Sequence, residues 1–168
     1  TMEAFMEVYH VLRTHPGLLP ENVDRGPTAV YRPRGAQSRG SSRFATMARE
    51  MKVVDQDKIV DAYLFYMESM FREMDGLILE KDIEVAKGLR NKIKLASATP
   101  IEAVAEWVNA FNRELTSEYR RRGAPMHDLV ELSKSLQASV QFAFPNCFIL
   151  PAFGNMISYR IRPLGPEE

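Results

Sequence analysis

Between Arg25 and Arg49 the chain carries six arginines, at 25, 32, 34, 39, 43 and 49, with no Asp, Glu or Lys among them. A guanidinium presents a planar fork of donors that matches phosphate bidentately and stacks on aromatic planes, which an ammonium does not. Tyr31 precedes Arg32-Pro33-Arg34, and the glycines and serines that follow leave the backbone free to track an extended partner. Arginine interleaved with an aromatic residue suits single-stranded nucleic acid, held by phosphate contacts and base stacking. Tyr31, Arg32, Arg34, Arg39, Arg43 and Arg49 are therefore candidate nucleic-acid-binding residues, and Arg120, Arg121 and Arg122 form a second candidate cluster. A third basic group, Lys87, Arg90, Lys92 and Lys94, lies late in another helical segment.

Each of these features has a plainer explanation. Cations in the last turn of a helix meet its dipole favourably, and Glu118 stands three and four residues before Arg121 and Arg122, so both later clusters fit solvated helix ends. The arm, in turn, has an acidic counterpart in its own chain, because residues 50–84 sum to −6. It fits docking on that segment or on an acidic partner protein as well. Phosphorylation of Ser38, Ser41 or Ser42 would cancel much of the arm's positive field.

Other chemistries fail on spacing. Gly35 and Gly40 have the separation of a phosphate-binding P-loop, but Ser41 occupies the position that requires lysine. Asp55, Asp57 and Asp61 could offer oxygens to Mg²⁺, yet acids at a helix start need no metal to account for them. His10, His15 and His127 have no acid–base partner nearby in sequence, and Cys147 has no local histidine. No catalytic residue, cofactor or metal ligand is nominated, and the expectation is a non-enzymatic protein.

Composition sets the frame for these sites. The 168 residues are 45% apolar and 26% charged, which is ordinary globular composition and about the size of one domain. Twenty-two Lys and Arg balance twenty-two Asp and Glu, so function through charge must come from local distribution. The single cysteine rules out an intrachain disulfide, and a reducing setting is expected: cytoplasm, nucleus or virion interior, not secretion. No run approaches the roughly 20 apolar residues that span a bilayer, so no membrane role is expected.

The elements that must position the sites follow from periodicity and punctuation. A helix is expected over 1–15, an extended Arg/Gly/Ser/Pro-rich arm over 16–43, a helical core over 44–143, and an extended segment or hairpin over 144–168. Within the core a short helix covers 43–52, and Asp55 caps a second in which Ile59, Ala62, Tyr63, Tyr66, Met67, Met70, Phe71 and Met74 share one stripe. Its apolar stripe is wide enough to suggest the central helix. Asp82 opens a third. Thr99-Pro100-Ile101-Glu102 supplies an N-cap, a first-turn proline and a capping-box glutamate for a fourth over 100–122, stopped by Gly123. A fifth runs from Pro125 to about 141, with Leu129, Leu132, Leu136 and Val140 inward. The fold class is thus mainly α, a single-domain bundle of five to six helices with an Arg-rich arm and a short C-terminal β-hairpin or arm.

Trp107, one turn off the main apolar stripe, either widens the core or meets an oligomer partner, the second being favoured, and with the tail residues Phe148, Ile149, Ile157, Tyr159 and Ile161 it makes up the expected oligomer or partner contacts. A helical core with a basic arm and an apolar arm is the build of subunits that polymerise, as in viral nucleocapsids and coats. That analogy is architectural. The leading expectation is an assembly subunit that binds RNA or single-stranded nucleic acid electrostatically and associates with itself. The alternative is a protein-interaction or scaffold subunit of a larger complex, its arm lying on an acidic partner.

Overall fold

Asp55 starts the helix that the periodicity marked most clearly: its carboxylate accepts the Lys58 N–H at 3.0 Å, satisfying a backbone donor that the first turn leaves open. The structure, a computed structural model, describes residues 30–32, 35–38, 43–74, 76–134, 140–143, 147–152, 155–160 and 165. Among these, five helices are formed: α1 Arg43–Glu50, α2 Gln56–Glu73, α3 Glu80–Arg90, α4 Pro100–Arg121 and α5 Leu129–Lys134. Five short strands accompany them: β1 Val30–Arg32, β2 Gly35–Ser38, β3 Val140–Ala143, β4 Cys147–Ala152 and β5 Asn155–Arg160. The expected helix over 1–15 lies outside the described residues.

Local chemistry explains the helix boundaries. In α3, Asp82 reaches back to accept the Leu79 N–H at 2.9 Å. In α4, Thr99 accepts the Glu102 N–H, while the Glu102 carboxylate accepts a hydrogen bond from the Thr99 hydroxyl at 2.7 Å instead of closing a full capping box on the backbone. Gly123, at φ 84°, ends α4 with a Schellman turn: its own N–H reaches the Arg120 carbonyl and the Ala124 N–H reaches that of Tyr119.

The buried stripes meet in one cluster. α2 contributes Ile59, Val60, Tyr63, Met67 and Met70, and α4 contributes Val104, Trp107, Phe111 and Leu115. Tyr63 stands edge-on to Trp107 and Phe111, with ring centroids 6.0 and 5.3 Å apart. The helix that packs against all four others is α4, whereas α2 was the expected centre. Leu77 and Ile78, between α2 and α3, are also buried and extend the core past the α2 stripe.

The fifth helix is shorter than its periodicity suggested. Its described part is Leu129–Lys134, opened by Asp128, whose carboxylate accepts the Val130 and Glu131 N–H groups. Val140, expected on the inner face of that helix, instead begins β3. Short apolar runs fit both periods, and here the alternation Val140, Phe142 prevails because two neighbouring strands supply hydrogen-bond partners.

The strands form one antiparallel sheet in sequence order, β1-β2-β3-β4-β5. The expected C-terminal hairpin is β4–β5, pairing Cys147 with Arg160 through to Ala152 with Asn155. β2 pairs with β3, and Ser38 stands opposite Val140. All five helices are therefore inserted between two adjacent strands. Helices pack on helices and strands on strands, with sparse contact between the two sets among the described residues.

Candidate nucleic-acid interface

Several basic residues of the helical layer are engaged by its acids. Arg90, ending α3, binds Asp61 and Asp57 at the start of α2, Lys87 binds Glu68 at 2.7 Å, and Lys92 binds Glu114 at 3.3 Å. The aspartates that resembled a magnesium site are thus held by Arg90 or by the Asp55 cap, and no metal-ligand cluster occurs among the described residues. Gln56 fastens the same end, donating to the Ile93 carbonyl at 3.1 Å and accepting the Leu95 N–H at 2.8 Å.

At the end of α4, Arg121 and Arg122 both clasp Glu118, at 2.6 and 2.7 Å. Those two guanidinium groups, Arg121 foremost, hold the Glu118 carboxyl down at about 2. Arg120 instead donates to the Met126 carbonyl at 2.9 Å, bracing the turn after α4. Tyr119 hydrogen-bonds Asp82 at the opening of α3, whereas Arg90 closes that helix. Asp82 lies eight residues before Arg90, a rise of about 12 Å at 1.5 Å per residue, so Tyr119 and Arg90 engage opposite ends of α3.

The sheet has a different charge character. Its five strands contain Arg32 and Arg160 as their only charged residues. The sequence segments that supply them are also free of acid: no Asp or Glu occurs in 25–49 or in 132–166, whereas 50–131 holds sixteen acids against twelve bases. Pairing of β2 with β3 brings the two acid-free segments together.

The register arranges these residues in rows. One row reads Arg32, Gly35, Ala143, Cys147, Arg160, and the next reads Tyr31, Ala36, Phe142, Phe148, Tyr159. Successive rows belong to opposite faces of a sheet. Phe148 is 1% exposed, while Ala143 and Arg160 are exposed and Cys147 is half-buried. The described residues of the row ending in two arginines are thus more exposed than Phe148, whose own row is exposed, among its described side chains, only at Tyr159 on the edge strand. Tyr31 and Arg32 occupy successive rows, so the tyrosine does not share a row with its neighbouring arginine.

The other candidate residues fall in several places. Arg43 opens α1 and Arg49 lies exposed in its last turn. Arg34, Arg39 and Ile161 lie outside the described residues. Phe148 is buried, Ile149 half-buried and Tyr159 exposed at the sheet edge, and Ile157 stands opposite Leu150 in β5. Trp107 is corrected: it is fully buried against Tyr63, so it is a core residue rather than an oligomer contact. The widened stripe of α4 is filled by α1 and α3 on its flanks. Arg160 escaped the sequence reading, although a repeated Tyr-Arg at 31–32 and 159–160 inside acid-free segments was a usable signal.

Comparison with known proteins finds no matching family model, no similar curated protein and no similar solved structure. No helix among the described residues is long and apolar enough to cross a membrane.

Proposed function

We propose that this chain is a non-enzymatic assembly subunit that binds RNA or other single-stranded nucleic acid electrostatically through its arginine arm. The observation that supports this reading is the separation of charge: the acid-free segment with six arginines supplies two strands of a sheet whose remaining strands carry no acid either. Lys87, Arg90 and Lys92 each face an acid and Arg121 and Arg122 share Glu118, whereas Arg32, Arg34, Arg39 and Arg43 sit in sequence away from carboxylates. Phosphate contacts of this kind release counterions, so affinity falls steeply as salt rises. Binding of a labelled single-stranded oligonucleotide, measured by anisotropy from low to physiological salt, tests the reading. Changing Arg32, Arg34, Arg39 and Arg43 together to alanine is expected to flatten the salt slope; binding indifferent to salt and to those changes would sink it.

A second reading rests on β5. This strand ends the sheet, carries no proline, lysine or acid, and exposes Ser158, Tyr159 and Arg160. Native edges are ordinarily guarded by such residues, and an unguarded one can accept a strand from another chain. Self-association or partner docking there is compatible with nucleic-acid binding by the arm. Light scattering of the chain with and without residues 146–168 tests it, and monomers for both forms would exclude that edge as a contact between copies.

A further inference from the structure

We infer that the nucleic acid lies across the strands on the open face of the sheet, along the row from Arg32 to Arg160. This placement rests on the reading above that the ligand is nucleic acid, and it adds Arg160 to the binding residues. Four strand spacings separate the two arginine positions, about 19 Å at the usual 4.8 Å between strands. Between them the row holds only Gly35, Ala143 and Cys147, whose small size leaves a shallow course over which an extended backbone approaches closely. The face is open where side chains are described: Ala143, Ser158 and Arg160 are exposed and Cys147 and Ile149 are half-buried, while Phe148 fills the opposite side.

Charge complementarity selects the occupant. With positive charge at each end and no acid in any strand, the face suits a partner bearing regularly repeated negative charge. A single strand matches because it lies flat and extended. The small central residues offer no directional donors for base edges, so phosphate dominates and recognition is indifferent to sequence. This differs from a helix-end site, where Glu118 already neutralises part of the arginine charge.

The experiment uses the intact chain and a single-stranded oligonucleotide containing 4-thiouridine, photo-crosslinked at low salt and mapped by peptide mass spectrometry. Crosslinks are expected in peptides covering 30–38 and 140–160. In parallel, Arg160→Ala is expected to reduce the slope of log affinity against log salt by about one, as loss of one phosphate contact does, and Arg160→Lys to restore most of it. Salt-dependent binding with an unchanged slope in Arg160→Ala and crosslinks in 30–38 but none in 140–160 overturns the placement while leaving the arm reading intact, whereas crosslinks confined to 44–134 overturn both. Absence of oligonucleotide binding overturns both. Competition by polyglutamate as effective as that of the oligonucleotide at equal charge overturns the assignment to nucleic acid in favour of an acidic protein partner.

Discussion

The Tyr119 hydroxyl donates to Oδ1 of Asp82 at 2.7 Å, tying the last turns of α4 to the first turn of α3. Asp82 is 2% exposed, and its other oxygen accepts the Leu79 N–H. One carboxylate therefore both starts a helix and fastens it to the central one. Burial raises its pKa above the ordinary 3.8, although both hydrogen bonds oppose the rise.

Tyr119→Phe removes one of the two partners of a buried carboxylate and is expected to cost about 1–3 kcal/mol. The pH dependence has a definite sign. A folded-state pKa raised above the unfolded one makes Asp82 favour folding most when protonated, so its contribution declines as pH rises from 3.8 through the raised value. The variant raises that pKa further. Denaturant unfolding should show the gap between parent and variant widening from acid to neutral pH; a gap that narrows instead would contradict the assignment.

Trp107→Ala should cost about 3–5 kcal/mol, because a fully buried indole leaves a cavity between α2 and α4. Trp107→Phe should cost much less, since it keeps an aromatic ring and deletes a buried N–H that has no hydrogen-bond partner among the described residues. The Phe variant should keep the parent's mass by light scattering. A change in mass would restore Trp107 as a surface contact.

Two glycines should respond oppositely to alanine. Gly123 has φ 84°, and an added Cβ meets no neighbour within 4 Å, so Gly123→Ala carries only the left-handed backbone strain of about 1–2 kcal/mol. Gly88 lies inside α3 with equally open space, and Gly88→Ala should stabilise by about 0.5–1 kcal/mol. Thermal melts of the two variants should shift in opposite directions.

Arginines at the end of α4 should matter little to nucleic acid. Replacing Arg121 and Arg122 by alanine frees Glu118 and is expected to change oligonucleotide affinity less than the fourfold arm substitution, whose loss at low salt should reach about tenfold or more. Equal losses in the two variants would move the interface to the helix end. With Arg121 and Arg122 in place, Glu118 stays ionised down to about 2, so this pairing persists through mild acid and fails only as pH falls through that value.

Most of the helical layer was legible in the sequence because its signals are local. Asp55, Thr99-Pro100 and Gly123 act within one turn of their own positions, and the 3.6-residue spacing of α2 and α4 identifies the buried faces. Val140 was misread because four residues of alternating type also fit the preceding helical period. Trp107 was misread because distance from one stripe is not exposure when neighbouring helices cover both flanks. The pairings of Lys87 with Glu68 and of Arg90 with Asp61 join helices whose relative placement no spacing rule conveys.

The charge blocks themselves are a property of the sequence: an acid-free basic arm, an acidic segment after it, and a neutral total. Their destinations belong to the tertiary structure. Helix caps and amphipathic stripes are settled between residues a few positions apart, but Ser38 meets Val140 across a stretch of chain that holds five helices. Strand pairing at that separation has no local signature, because either edge of a short strand can accept any partner with compatible alternation. That non-local pairing places Arg32 and Arg160 on one row of strands that carry no acid.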